Sequence, residues 1–227
     1  MSNPRLCLAL DGCTPQEALA WIERTRAHIG VYKVGLELFL RGGFDLVAAC
    51  HDVGAPAIFL DLKLHDIPRT VARAVEAAAR PGVRWLTVHS AGGAAMLRAA
   101  QAAAEQGGIR LLGVTVLTSL DPEDAHRVGL VALEDAIERR AVLVAQAGLA
   151  GLVCGATEVA RIKAAHPHLH CVTPGIRWPD DPVDDQRRTA DPVTAQAAGS
   201  DMLVLGRMIT HATHPEQALG RLAALLS

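Results

Sequence analysis

The chain has 227 residues, of which half are hydrophobic and a fifth are charged, and its formal net charge is −2. This length and composition are typical of one α/β barrel domain with a large apolar core. The small net charge gives no general attraction for nucleic acid or for an anionic membrane surface. Aromatic residues are also too scarce for a surface that stacks bases, so we expect neither nucleic acid nor membrane as a partner.

The N-terminus lacks the basic start and apolar run of a signal peptide, and no apolar stretch approaches the roughly 20 residues that cross a bilayer. The five cysteines form no CxxC pair and have no metal-ligand spacing. Three of them, Cys7, Cys154 and Cys171, lie in apolar runs that are typical of strands. We therefore predict reduced core thiols in a cytoplasmic protein, and no metal site.

Short runs rich in Val, Leu and Ile alternate along the chain with longer stretches that contain Ala, Glu and Arg. The short runs predict buried parallel strands at Leu6–Leu10, Val31–Gly35, Ala57–Leu62, Trp85–His89, Leu111–Leu117, Gly151–Cys154, Cys171–Thr173 and Met202–Leu205. The longer stretches predict helices at Pro15–His28, Thr70–Ala79, Ala94–Gln106, Leu133–Ala147, Glu158–Ala165 and Pro192–Ala198.

Eight strands with intervening helices predict a single (β/α)8 TIM barrel domain over residues 1–227. The alternative is a doubly wound open sheet. It is disfavoured because the turn after the first strand, residues 11–14, does not have the GxGxxG pattern.

Charged residues stand at strand ends that should be apolar. Asp11 ends the first predicted strand, Lys33 interrupts the second, and Asp61 and Lys63 end the third, with Asp66 on the following loop. Because strand side chains alternate, Asp61 and Lys63 should face the barrel interior while the neighbouring leucines pack on the helices. A purely structural ion-pair network is one interpretation. The other is a neutral, water-poor site with an ammonium held beside carboxylates, which is suited to proton delivery.

Two turns with glycine and arginine follow the last two strands. Gly206-Arg207 follows the eighth strand, and Gly175 and Arg177 lie at the end of the seventh. Barrels commonly bind phosphate with the loops after these strands, where glycine allows close approach and arginine adds charge. Gln186, on the loop after the seventh strand, could donate to a phosphate oxygen. Either turn alone could be a plain tight turn, but the two together predict a phosphate site.

These residues together resemble the orotidine 5′-phosphate decarboxylases. The most specific piece is the Asp-x-Lys-x-x-Asp-Ile-x-x-Thr spacing of residues 61–70, and further pieces lie at residues 8–11, 33–35, 116–119, 172–177, 185–188 and 205–207. The resemblance covers essentially the whole chain. It implies a homodimer of (β/α)8 barrels with shared active sites, orotidine 5′-phosphate as substrate, uridine 5′-phosphate as product, and neither metal nor organic cofactor.

The resemblance also implies residue roles. Lys63 would protonate C6 of the pyrimidine as carbon dioxide leaves, Asp61 would lie against the departing carboxylate, and Lys33 would help to hold Lys63. Asp66 would reach the active site of the partner subunit and add a charge there, and Ile67 and Thr70 would also contact the partner's site. Asp11 and Lys33 would bind the ribose, and Thr118 or Ser119 would contact the pyrimidine. The phosphate would be bound by Arg177, Gln186, Gly206 and Arg207. The loop at residues 178–188 would close over the phosphate.

Two alternatives of function remain open. One is a related sugar-phosphate barrel that shares the Asp-x-Lys-x-x-Asp core but uses magnesium for enediolate chemistry. The other is a barrel that binds a phosphate ligand without catalysis. The roles of His65 and His89, at the ends of the third and fourth strands, also stay open between scaffold and catalysis.

Overall fold

The computed structural model describes residues 2–130, 132–179 and 189–226. Eight parallel strands form a closed barrel in sequence order, with β8 pairing back to β1. The strands are β1 (Asn3–Ala9), β2 (Ile29–Gly35), β3 (Ile58–Leu64), β4 (Val83–His89), β5 (Arg110–Val114), β6 (Gly151–Val153), β7 (His170–Ile176) and β8 (Met202–Leu205). The predicted (β/α)8 fold is confirmed, and the open sheet is wrong.

Helices alternate with the strands and surround the barrel. They are α1 (Pro15–Thr25), α2 (Leu36–Asp52), α3 (Pro68–Ala78), α4 (Gly93–Gly107), α5 (Pro122–Arg127), α6 (Leu133–Gln146), α7 (Ala156–Ala165), α8 (Pro192–Ala197), α9 (Arg207–Thr210) and α10 (Pro215–Leu225), with a 3₁₀ turn at Ser90–Gly92. None of the described helices is long and apolar enough to cross a membrane.

Two helix starts follow directly from local sequence. At α1, Thr14 Oγ1 accepts from Glu17 N at 3.3 Å while Thr14 N donates to Glu17 Oε2 at 2.8 Å, which forms a capping box. At α8, Asp191 Oδ1 accepts from Val193 N and Thr194 N, both at 3.0 Å. In both helices a proline occupies the first turn, where its missing N–H costs no hydrogen bond.

The predicted strand bounds differ from the observed ones by up to three residues, and two of the differences change the carboxyl ends of strands at the cavity. The fifth strand ends at Val114 and not at Leu117, although the backbone N–H and the hydroxyl of Thr115 still donate to Val153 O of β6. The seventh strand runs on to Ile176, beyond the predicted end at Thr173, although it crosses Pro174 and Gly175. Both differences lie at carboxyl ends, where pairing gives way to loops.

The core has two layers, separated by the barrel wall. The larger layer lies between strands and helices and includes Leu60 and Leu86. The smaller layer fills the barrel interior with Cys7, Ala9, Val31, Phe59, Trp85, Leu112, Val172, Met202 and Val204. All five cysteines are free and buried, as predicted.

Candidate active site

A cavity of about 550 Å³ opens at the carboxyl ends of the strands, above the apolar interior layer. Barrel enzymes carry their active sites at this end. Nine of the predicted site residues line the cavity: Asp11, Lys33, Asp61, Lys63, Thr118, Ser119, Arg177, Gly206 and Arg207. The fold therefore brings together side chains from the ends of β1, β2, β3, β7 and β8 and from the loop after β5.

Four charges of alternating sign form a continuous line along one wall of this cavity, which we call the charge line: Asp11, Lys33, Asp61 and Lys63. Lys33 Nζ donates to Asp11 Oδ2 at 2.7 Å and to Oδ1 at 2.9 Å, and lies 3.5 Å from Asp61 Oδ2. Lys63 Nζ donates to the same Asp61 Oδ2 at 2.8 Å. The four side chains sum to zero charge, so the barrel tolerates them without an unmatched buried ion.

Burial differs along the charge line. The Lys33 and Asp61 side chains are 10% and 13% exposed, whereas that of Lys63 is 33% exposed and that of Asp11 is 55% exposed. The line therefore has a fixed centre and two ends that remain accessible from the cavity. Lys63 is the ammonium that an incoming ligand can reach more readily.

The electrostatics of the centre follow from this pairing. Burial alone favours the uncharged form of Lys33, but the neighbouring carboxylates of Asp61 and Asp11 outweigh it and raise the pKa of Lys33. Burial likewise opposes ionisation of Asp61. Lys33 and Lys63, with hydrogen bonds from Lys63 and Thr87, nevertheless hold the pKa of Asp61 below its usual value. Both groups are therefore charged at neutral pH.

The backbone at Lys63 is irregular. Its φ of 48° lies in the left-handed region, which residues other than glycine seldom adopt. The β3–β4 ladder shifts register at the same place, between the pairs Leu60–Leu86 and Leu64–Val88. Asp61 and Lys63 nevertheless both line the cavity, while Leu60 and Leu62 pack on the helix side, as alternation predicts.

Arginines lie in another part of the same cavity. Arg177 follows β7, and its Nη1 donates to Ile176 O at 3.0 Å. Arg207 begins α9 directly after Gly206, at which an added Cβ would meet no atom within 4 Å. Thr210 and His211 line this region too, and the sequence patterns did not single them out.

The predicted residues that do not line the cavity lie on the third βα loop and the start of α3. Asp66, Ile67 and Thr70 are exposed, and Asp66 Oδ1 accepts from Ile67 N at 2.6 Å. The side chain of Ile67 is apolar yet 66% exposed. Gln186 and most of the 178–188 loop lie outside the described residues.

His65 and His89 stack at the mouth, with ring centroids 5.2 Å apart. Burial, followed by the positive charges of Arg140, His65 and Lys63, lowers the pKa of His89 to about 4. Ala91 N donates to His89 Nδ1 at 3.2 Å, so His89 acts as a neutral acceptor that caps the 3₁₀ turn. This geometry supports a scaffold role for His89.

Thr87 is a site residue that the sequence patterns missed. Its hydroxyl donates to Asp61 Oδ1 at 2.9 Å and accepts from Lys63 N at 2.9 Å, and its side chain is fully buried. The signal available in the sequence was a threonine between Trp85 and His89, on the interior face of β4.

A closed (β/α)8 barrel with charged side chains gathered at the carboxyl ends of its strands is typical of the barrel enzymes. Comparison with known proteins gives the family. Residues 4–222 match the family described as orotidine 5′-phosphate decarboxylase / HUMPS. The chain belongs to this family, and the prediction that it is a carboxy-lyase is confirmed.

Full-length relatives support the assignment. Orotidine 5′-phosphate decarboxylase from Thermobifida fusca is 45% identical over 223 residues, covering 97% of this chain and 95% of the relative. The enzyme of the same name from Nitrosospira multiformis is 44% identical over 224 residues, covering 98% and 93%. The crystal structure of orotidine 5′-phosphate decarboxylase from Lactobacillus acidophilus superposes with a TM-score of 0.85 at 29% identity, covering 99% of this chain and all of that one.

Proposed function

We propose that the chain converts orotidine 5′-phosphate to uridine 5′-phosphate and carbon dioxide in pyrimidine nucleotide synthesis, with Lys63 as the proton donor. The observation that carries the proposal is the charge line, in which Lys63 Nζ lies 2.8 Å from Asp61 and borders the cavity. The names of the full-length relatives support the same substrate. The buried free thiols fit a reducing compartment, so we place the activity in the cytoplasm.

The cavity offers a binding group for each part of such a nucleotide. Arg177, Gly206 and Arg207 would bind the phosphate, with Gln186 as a further donor. The exposed oxygens of Asp11 and the ammonium of Lys33 would bind ribose hydroxyls. Thr118 and Ser119, on the loop after β5, would contact the pyrimidine.

The chemistry requires electrostatic stabilisation of a carbanion. As the bond between C6 and the carboxylate breaks, its electron pair stays on C6 and carbon dioxide leaves. Lys63 then transfers a proton from Nζ to C6 and recovers a proton from solvent. Each tenfold in rate corresponds to about 1.4 kcal/mol, and a preorganised ammonium beside the developing charge can supply several such factors in a water-poor site.

Asp61 has two effects in this scheme. It holds Lys63 Nζ in place, and it would lie against the departing carboxylate of the substrate. Repulsion there would raise the energy of the bound substrate, but stabilisation of the carbanion by Lys63 is the stronger and better-founded contribution. Binding of the distant phosphate would support catalysis by closing the 178–188 loop over the cavity.

We further propose that the active form is a homodimer with shared sites. Asp66, Ile67 and Thr70 are exposed at the rim and do not line the cavity of their own chain. Leu36 and Leu40, on the helix that follows the adjacent strand β2, are 50% and 81% exposed, so apolar side chains are also exposed on that helix. Covering these side chains with a second copy would bury them and bring Asp66 of the partner subunit to the charge line.

The magnesium-dependent alternative does not fit the residues present. Two carboxylates line the cavity: both oxygens of Asp11 accept from Lys33, while Asp61 Oδ2 contacts two ammonium groups and Asp61 Oδ1 accepts from Thr87. A divalent cation there would face both lysines at close range. The described residues also include no group of three or more His, Cys, Asp or Glu side chains arranged to hold a metal.

The test is the loss of orotidine 5′-phosphate absorbance when purified protein is added in excess EDTA. We expect turnover to persist in EDTA, and Lys63→Ala to reduce kcat by several orders of magnitude with its fold retained. Lys163→Ala is the matched control, since Lys163 Nζ also pairs with a carboxylate, that of Asp201 at 2.6 Å, but outside the cavity.

The outcomes separate the three candidate functions. Absence of turnover by the wild-type protein, with nucleotide still bound, would favour a non-catalytic phosphate-binding barrel. Turnover that EDTA abolishes and magnesium restores would favour the metal-dependent alternative. Near-wild-type activity in Lys63→Ala would refute the assigned proton donor.

A further inference from the structure

The register between the third and fourth strands, β3 and β4, shifts beside the charge line. Leu60 pairs with Leu86 and Leu64 pairs with Val88, so the three residues 61–63 of β3 stand opposite the single residue Thr87 of β4. This is a bulge, in which regular ladder hydrogen bonds are interrupted and the strand is locally redirected. The bulge contains both Asp61 and Lys63.

Thr87 fills the gap that the bulge leaves. Its Oγ1 accepts from the backbone N–H of Lys63 at 2.9 Å and donates to Asp61 Oδ1 at 2.9 Å. One hydroxyl therefore fixes the backbone of one charged residue and the side chain of the other. Thr87 is fully buried and does not line the cavity, so a ligand there would not touch it.

We propose that Thr87 is a positioning residue for the reaction: its hydroxyl holds Lys63 and Asp61 in the bulged geometry that points the Lys63 ammonium into the cavity. This inference rests on the proposed function, because turnover is what the positioning serves. It goes beyond that function by assigning a role to a side chain that contacts neither substrate nor solvent.

The backbone conformation explains why such a support is needed. Lys63 has a φ of 48°, and a residue with a Cβ carbon is disfavoured in that region by contact with its own carbonyl oxygen. Strained conformations persist where the surroundings over-determine them. The hydrogen bond from Lys63 N to Thr87 is a restraint of this kind, and without it the N–H would be left unpaired beside a buried wall.

The hydroxyl also acts on the charge of Asp61. The charged groups that face this carboxylate are Lys33 on β2 and Lys63 on its own strand, and Thr87 adds a donor from β4. That donor is one of the causes that hold the pKa of Asp61 below its usual value. Its removal shifts the pKa of Asp61 upward, although both lysines remain.

The experiment compares Thr87→Val, Thr87→Ser and Thr173→Val. Valine keeps the shape of threonine but lacks the hydroxyl, whereas serine keeps the hydroxyl. Thr173→Val is the matched control, because Thr173 is also fully buried in a strand and its hydroxyl also has a partner, Ser200 Oγ at 2.7 Å, but it does not line the cavity or contact the charge line.

We expect Thr87→Val to lower kcat about 10- to 100-fold with KM within about threefold of wild type, since a hydrogen bond to a charged group is lost and the ammonium is displaced. Thr87→Ser should recover kcat to within about threefold of wild type.

Thermal unfolding separates positioning from a merely structural role. Both valine variants should lose stability, but only Thr87→Val should lose turnover in the fraction that remains folded. Wild-type kcat in folded Thr87→Val would overturn the inference, and so would a serine variant as impaired as the valine variant. A wild-type protein without decarboxylase activity would refute the proposed function. An active wild type with an equally active Thr87→Val variant would instead refute only the positioning role of Thr87.

Discussion

Gly35 provides a sharp test of how the charge line is built. It ends β2, and its φ of −82° and ψ of 177° are extended values that alanine adopts without strain. A Cβ at this position would, however, lie 2.4 Å from Asp11 Oδ1 and 3.2 Å from Lys33 Nζ. The replacement Gly35→Ala therefore perturbs the Asp11–Lys33 pair by contact alone.

The size of the effect follows from these distances. An ordinary van der Waals contact begins at 3.4 Å, so the Asp11 carboxylate must move by about 1 Å. Its hydrogen bonds to Lys33 are 2.7 and 2.9 Å long, and such a shift breaks at least one of them. Because Asp11 is half-exposed, solvent screens its interaction with Lys33. The lost interaction energy is therefore about 1–2 kcal/mol, which corresponds to a five- to 30-fold decrease in kcat/KM.

The assay is steady-state decarboxylation by Gly35→Ala beside a second glycine variant, Gly220→Ala. Gly220 lies within α10, has no atom within 4 Å of its added Cβ, and should gain stability from better helix propensity without change in kinetics. If Asp11 and Lys33 bind the ribose, KM should carry most of the decrease. Unchanged kinetics in a folded Gly35→Ala protein would refute the steric argument.

Three further predictions concern the phosphate, the dimer and acid stability. Arg207→Ala should raise KM strongly and lower kcat less, and an unchanged KM in steady-state assays would contradict its phosphate role. Equal amounts of inactive Lys63→Ala and Asp66→Ala chains should recover about a quarter of wild-type activity after they exchange subunits. The reason is that half of the dimers would then be mixed, and each mixed dimer has one intact site of two. No recovery after proven exchange would place each site within one chain. The pKa of His89 is about 4 in the folded protein, below its ordinary 6.5, so the unfolded chain binds the proton first and stability falls from about pH 6.5 to pH 4. Urea unfolding should show a smaller acid loss in His89→Gln, and parallel losses would be inconsistent with this assignment.

The barrel could be predicted because each strand is a short apolar run and sequential strands pair. The missed elements have local causes. Residues 36–52 form α2, but Gly42 and Gly43 interrupt the helical pattern, and Gly43 adopts a φ of 56° at a kink. The end of β7 crosses Pro174 and Gly175, residues that propensity assigns to a turn, yet Ile176 still pairs with Leu205. Tertiary pairing prevails over local preference there.

The charges of the site could also be predicted, since Asp11, Lys33, Asp61 and Lys63 stand where buried strands should be apolar. The contacts between these charged side chains could not be predicted. The 3.5 Å approach of Lys33 to Asp61 depends on how β2 and β3 are aligned. The bond between Thr87 and the Lys63 backbone depends on a register shift that no pattern in the sequence marks. Sequence identifies the ionisable groups, whereas strand register decides which of them meet.

The segment after β3 links catalysis to assembly through its length. Lys63 faces the cavity, and α3 begins at Pro68, only a few residues further on. Asp66 and Ile67 lie on the short loop between β3 and α3, and both are exposed. If Asp66 contributes to an active site, as we propose, that site would belong to another chain. In the proposed dimer, the same bulge would place Lys63 at the cavity and Asp66 at the partner subunit, so a change that relaxes the bulge should weaken turnover and dimerisation together.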